Sequence, residues 1–186
     1  MNEPIETPRL YLRPLEASDW PLVLAYMSDV EVLRYLPWQP FTEEEVRAFI
    51  AGPQDGDEAD HGFPDRLAVV RKATGALVGH VSLEMFSPKY RTREMGYILH
   101  RDHQGKGYAT EASRALMSYG FRMLNLHRVI ATCDPRNSAS FGVMEKLGMR
   151  REAHFRKDVQ IRGEWSDEYF YAILKEEWEA RQRVIV

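Results

Sequence analysis

Apolar residues recur along the chain with two different periods. Leu10 and Leu12 alternate with more polar neighbours over residues 9–15, which predicts a first strand. Ser18-Asp19 then gives a helix-start signal before an apolar-periodic run over residues 20–27. Thr42, with Glu45 three residues on, has the spacing of a capping box and opens a second helix through Val46, Phe49 and Ile50 to Gly52. Residues 67–71 and 77–86 predict two strands joined at Thr74-Gly75. In the second, Leu77, Val81, Leu83 and Met85 share one face, and His80, Ser82 and Glu84 the other. Residues 93–100 form a further strand, with Met95, Tyr97 and Leu99 on one side and Glu94, Gly96 and Ile98 on the other. Gly96 predicts a bulge or a close backbone approach.

The period then changes. Ala109, Ala112, Leu116, Tyr119 and Met123 recur at helical spacing over residues 107–123 and make a stripe that a sheet must cover. A short apolar strand over residues 129–133 ends at Asp134-Pro135, and Asn137 or Ser138 caps a helix carrying Phe141, Met144 and Leu147 and closed by Gly148. Residues 149–161 and 165–174 flank Arg162-Gly163 as a hairpin, followed by a short charged tail through Trp178. The order is β-α-α-β-β-β-α-β-α-β-β, without internal repeat or linker, and predicts a single domain over residues 1–186 with one core.

Charge and composition narrow the classes. With 25 basic against 28 acidic residues, a net charge of -3 and a pI near 6.1, no electrostatic drive toward nucleic acid exists. Cys133 is the single cysteine, so no intramolecular disulfide forms. The first fourteen residues are acidic and broken by prolines, unlike a signal peptide, and no window approaches the ~18 apolar residues of a membrane span. The expectation is a cytoplasmic protein with no membrane partner.

Between a predicted strand and the longest predicted helix lies His103-Gln-Gly-Lys-Gly-Tyr-Ala-Thr-Glu-Ala112. Gly105 and Gly107 let the main chain turn sharply and approach an anion, while the helix aims its free N–H groups and positive dipole end at the same spot. This is the pattern of a phosphate site, and also of a plain strand-to-helix turn. A Walker loop needs glycine where His100 stands and serine or threonine where Gly107 stands. A dinucleotide fingerprint needs a third glycine at Thr110 and a repeated βαβ unit. Both are excluded.

Further motifs follow in order. Thr7-Pro-Arg-Leu-Tyr-Leu-Arg13, Glu94-Met-Gly-Tyr97, Gly105-Lys-Gly-Tyr-Ala-Thr-Glu-Ala112, Asn137-Ser-Ala-Ser140, Glu145-Lys-Leu-Gly148 and Asp167 together resemble the GNAT superfamily of acyl-CoA N-acyltransferases. They look most like its ribosomal-protein N-alpha-acetyltransferase-like branch, and the resemblance spans nearly the whole chain. It implies a mixed α/β (α+β) GNAT-like fold, a central, mostly antiparallel twisted sheet of about seven strands flanked by helices. It also implies acetyl-CoA as co-substrate without a metal. Tyr97, Ile98 and Leu99 would pair with the pantetheine amides as an added strand does. Gln104, Gly105, Lys106, Gly107, Tyr108, Ala109 and Thr110 would hold the pyrophosphate. Asn137 and Ser140, which also suit a helix cap, would face the pantetheine and thiol. Asp102 departs from the family's Gln/Arg-x-x-Gly-x-Gly/Ala pattern, which affects a side-chain contact and not the amides; Arg101 and Lys106 offer positive charge nearby.

Acyl transfer from a thioester to an amine needs a neutral nucleophile, donors for the oxyanion and a proton for the thiolate. A main-chain N–H near Ile98 or Leu99 suits the second role. By family analogy Ser140 protonates the sulfur; Glu94, with Glu84 second, is the candidate to deprotonate the ammonium directly or through water if its carboxylate points into the cleft. Resemblance implies direct transfer in a ternary complex to a protein or peptide N-terminal alpha-amine. The alternatives are a small-molecule amine, polyamine-like or antibiotic, and a non-catalytic acyl-CoA-binding regulatory module. Asp55, Asp57, Glu58, Asp60 and Asp65 read as a solvated loop that would suit a cationic partner. Trp20, Tyr35, Trp38 and Phe41 floor an acceptor pocket or join the core. Cys133 reads as a small core residue. His100 and His103 lack a third ligand, so no metal is expected. A homodimer is implied by resemblance alone.

Overall fold

The computed structural model describes residues 3–52 and 63–184, so Asp55, Asp57, Glu58 and Asp60 lie outside the described residues. Its strands are β1 (Ile5–Glu6), β2 (Leu10–Pro14), β3 (Arg66–Arg71), β4 (Leu77–Ser87), β5 (Thr92–Leu99), β6 (Arg128–Cys133), β7 (Arg150–Ile161) and β8 (Glu164–Leu174). Its helices are α1 (Trp20–Met27), α2 (Glu43–Ala51), α3 (Tyr108–Arg122), α4 (Ser138–Leu147) and α5 (Lys175–Val184). All eight strands form one sheet in the order β1-β2-β3-β4-β5-β6-β8-β7. Every neighbouring pair is antiparallel except β5 and β6.

Helices cover both faces. Ala112, Leu116, Met117 and Phe121 of α3, Met144 and Leu147 of α4 and Trp178 of α5 pack on one side with Val69, Val81, Leu83, Met95 and Leu99. Val23, Tyr26 and Met27 of α1 and Val46 and Ile50 of α2 pack on the other with Ala68, Val70 and Ile98. The expected single core is therefore two, one per face, as a centrally placed sheet requires. Each such buried side chain contributes about 1.5–3 kcal/mol. Arg93, fully buried, donates to the Asp65 carboxylate at 2.7 Å and to the Leu83 carbonyl. Asp65 is thus a structural partner and not a solvated loop charge.

Other sequence expectations are corrected locally. Leu77 joins the α1/α2 core while Val81 joins the α3 core, because a register shift at Gly79 inserts one residue and reverses the alternation. Gly79 has φ 155°, and a Cβ there would strike the Ile98 carbonyl oxygen. The bulge expected at Gly96 sits here instead. Gly96 keeps regular pairing with Ser82, and a Cβ on it would lie 2.7 Å from Ser82 Oγ, so it serves close approach alone. Met123 lies beyond the end of α3 and is 65% exposed, so Tyr108, Met117 and Phe121 carry the stripe's remainder. The charged tail is the helix α5, anchored by buried Trp178, and β1 raises the strand count from about seven to eight. The capping box at Thr42 forms as expected: Glu45 N donates to Thr42 Oγ1 at 3.3 Å and Thr42 N to Glu45 Oε2 at 2.7 Å.

Candidate active site

The parallel pair β5/β6 holds for only three residues, Thr92 to Glu94 against Arg128 to Ile130. Beyond them β6 pairs with β8 and β5 with β4, and the two strands part. The result is a strand edge inside the sheet. His100 N donates to Val78 O at 2.9 Å, so by the alternation of an antiparallel ladder the amides of Ile98 and Gly96 also face β4. Those of Tyr97 and Leu99 face the gap.

β5 runs directly into the glycine turn. A 3-10 turn over Arg101–His103 is followed by Gln104, whose Nε2 donates to Leu99 O at 3.0 Å and ties the turn to the strand. Gly105 and Gly107 have φ 71° and 80°, conformations that glycine adopts without strain. The first intrahelical bond of α3 is Glu111 N to Gly107 O, and no side chain caps the helix. Among the described residues, the amides of Gly105, Lys106, Gly107, Tyr108, Ala109 and Thr110 have no protein acceptor. Six clustered N–H groups at a helix N-terminus are an anion site in form. Lys106 Nζ donates to Asp102 O at 2.6 Å, which holds its charge at the turn, and Arg101 lies 3.7 Å from Asp29. The guanidiniums of Arg9 and Arg71 stand 4.7 and 5.8 Å from the Tyr108 ring centroid. Sequence reasoning missed both arginines here, because they come from β2's entry and β3, far away along the chain.

Across the gap, Asn137 caps α4 by accepting from Ser140 N at 3.1 Å. Tyr97 OH donates to Ser140 O at 2.8 Å and lies 3.0 Å from Ser140 Oγ. Burial pushes the Tyr97 phenol well above its usual range, so it stays neutral. Cys133 is half-buried at this junction and packs against the core from its margin; burial and Asp134 push its thiol up to about 11, with Ser140 opposing. A thiol so protonated is a poor nucleophile.

On the α1/α2 side, a cleft of about 270 Å³ is lined by Glu84, Glu94, Thr132, Cys133, Asp167 and Glu168, with Tyr35 and Trp38 at its wall. Glu84 and Glu94 are direct cross-strand partners. Glu94 accepts from Thr132 Oγ1 at 3.1 Å; its carboxyl is raised by burial and by Glu84, with Thr132 opposing. Burial also raises Glu168, with Thr132 opposing and Asp158 and Glu94 adding to the rise. Glu84 pairs with Arg66, and Asp167 with His154 and the Lys157 amide. Glu94 and Glu168 have no cationic partner among the described residues. Of the four aromatics expected at a pocket, Tyr35 and Trp38 line the cleft, whereas Trp20 and Phe41 pack on the core. Glu94 and Ser140 do not line the same wall; Cys133 lies between them.

Residues 9–150 match the family model for the acetyltransferase (GNAT) domain. The chain belongs to this family. It is similar to the uncharacterized N-acetyltransferase YnaD of Bacillus subtilis, with 44% identity over 174 residues, 94% of this chain and 98% of that protein. The spermidine N(1)-acetyltransferase of Escherichia coli K12 is 29% identical over 172 residues, 92% of this chain and 89% of its own. The solved RimL ribosomal L7/L12 alpha-N-protein acetyltransferase, in complex with coenzyme A, shares the fold. Its TM-score is 0.81 at 22% identity, over 92% of this chain and 98% of that one. The GNAT protein described here is thus an acetyl-CoA-dependent N-acyltransferase with a mixed α/β, mostly antiparallel fold.

Proposed function

We propose that acetyl-CoA lies along the inner edge of β5, with its diphosphate on the glycine turn, and that the acceptor is a small polyamine-like cation entering the acidic cleft. The coenzyme half is carried by one observation: a free strand edge at Tyr97, Ile98 and Leu99 leads without interruption into six unpartnered amides. An edge offers main-chain pairing to a ligand with amides, and the turn offers N–H groups to a diphosphate. When bound, acetyl-CoA supplies an activated thioester, whose C–S bond breaks as the acceptor's N–C bond forms.

The chain's own groups then divide the remaining work. The Leu99 and Tyr97 amides facing the gap are the donors available to a developing oxyanion. Glu94, half-buried and raised in pKa, takes a proton from the acceptor ammonium, with Thr132 holding its Oε1. Ser140 gives a proton to the departing sulfur, with the neutral Tyr97 hydroxyl behind it. Asn137 fixes Ser140 through its cap.

The acceptor half rests on the five cleft carboxylates, Glu84, Glu94, Asp134, Asp167 and Glu168, of which Glu94 and Glu168 have no cationic partner among the described residues. An amine bearing additional positive charge complements them better than a single N-terminal ammonium. The motifs resembling the N-terminal acetyltransferase branch fall on both sides: Arg9 and Glu111 at the turn and Asn137 and Ser140 at α4 on the coenzyme side, Glu94 and Asp167 in the acceptor cleft. The two in the cleft are carboxylates, which suit a cationic acceptor of either kind. Thiol release followed with acetyl-CoA and three acceptors, a linear triamine, a monoamine of matched length and a peptide with a free N-terminus, tests this. The expectation is kcat/KM at least about tenfold higher for the triamine, the value of one well-placed charge contact. A preference for the peptide overturns the acceptor assignment.

A further inference from the structure

The Thr7–Arg13 motif holds a strand in the sheet, and one of its side chains does more. Arg9, at the turn into β2, makes two diverging bonds, Nε to Glu111 Oε2 of α3 at 2.6 Å and Nη1 to Lys106 O of the glycine turn at 3.1 Å. The second acceptor is the carbonyl between the two glycines of positive φ. The chain has no cis peptide among the described residues, and in a planar trans peptide the C=O and N–H point in opposite directions. Holding Lys106 O against the guanidinium therefore fixes Gly107 N–H to point away from it.

We propose that Arg9 is a positioning residue for the coenzyme: it locks the Lys106–Gly107 peptide plane so that the Gly107 amide is aimed at the diphosphate before binding. This rests on the coenzyme reading above. That plane turns about the Lys106 ψ and Gly107 φ torsions, and the freedom of Gly107 leaves it able to rotate, so the entropy of stopping it would otherwise be lost on binding. The anchor itself is held firmly. Glu111 accepts from Thr7 Oγ1 at 2.7 Å, Arg9 N at 2.9 Å and Arg9 Nε, which together outweigh its burial and keep the carboxyl below its usual range. The Arg9 side chain is 50% exposed, so its contribution to global stability is small and its removal leaves the fold intact. Lysine does not reproduce the fork, since its donors share a single atom.

The test compares acetyl-CoA with S-acetylpantetheine, which carries the thioester and amides without the diphosphate. Arg9→Ala should raise KM for acetyl-CoA roughly tenfold, the scale of one charge-assisted hydrogen bond, with kcat within about twofold. Its kcat/KM for S-acetylpantetheine should match that of the unmodified protein, which also reports that the variant is folded. Arg9→Lys should fail to restore the KM. An unchanged KM, an equal loss with both thioesters, or full rescue by lysine each overturns the proposal. If the unmodified protein itself uses both thioesters equally well, the glycine-turn assignment fails first, and with it the role of Arg9.

Discussion

The two sides of the gap between β5 and β6 are built in opposite ways. The coenzyme side is continuous in sequence: residues 97–110 run from strand edge through turn to helix, and the recognising atoms are main-chain amides. The acceptor side is assembled from β4, β5, β6 and β8 and acts through side chains. Main-chain recognition depends on conformation, so glycine and a helix start suffice to encode it. Side-chain recognition depends on which strands become neighbours. The coenzyme side should consequently be damaged by changes of shape and the acceptor side by changes of charge.

The largest expected effect is Gly107→Glu, which places a side chain at φ 80° and a negative charge among the turn amides. Coenzyme affinity measured by calorimetry should fall at least about a hundredfold, because strain and repulsion act together. Retained affinity in a folded variant would remove the turn from the site. Next, Glu94→Gln should lower kcat by about a hundredfold with coenzyme affinity unchanged, as expected for loss of a general base. In the unmodified protein the rate should rise with pH through the Glu94 carboxyl, above the ordinary carboxylate range because of burial and Glu84, and this limb should vanish in the variant. A surviving limb assigns the base elsewhere. Ser140→Ala should slow turnover by about tenfold at constant coenzyme affinity; an unaltered rate dismisses its role as proton donor.

The smallest effect at neutral pH concerns the row His80, Ser82, Glu84, which passes from the dry core into the wet cleft. His80 is fully buried beside Tyr26 OH at 2.9 Å, and burial brings its pKa down to about 3 from 6.5. The unfolded chain then binds the proton more readily, so the stabilisation is complete above pH 6.5 and is lost as pH falls toward 3. Urea unfolding at stepped pH should show this decline, and His80→Phe should flatten it. An equal decline in that variant would place the acid sensitivity in other groups.

Most of the element order was legible from periodicity, as were the Thr42 capping box, the α4 cap at Asn137 and the hairpin around Arg162-Gly163. These depend on neighbours within a few residues. The face of Leu77 was not legible, since the residue inserted at Gly79 shows only once β3 and β5 flank it. The helix α5 was hidden by its charge, because a single buried Trp178 gives no period. At the site, the glycine turn was legible and its brace was not: Arg9 reaches Glu111 across 102 positions. The acidic cleft was not legible, because its carboxylates come from separate strands and make no run in the sequence.

The amino-acid order by itself determined where the chain turns, which segments are strand or helix, and that unsatisfied amides meet at Gly105 to Thr110, since each follows from local conformational preference. Only the tertiary structure decided that β5 and β6 part after Glu94, that Glu84, Glu94 and Glu168 share one wall, and that Arg9 holds the turn. Those facts depend on strand order and register, which come from burying two apolar faces at once and leave no mark in any short stretch of sequence.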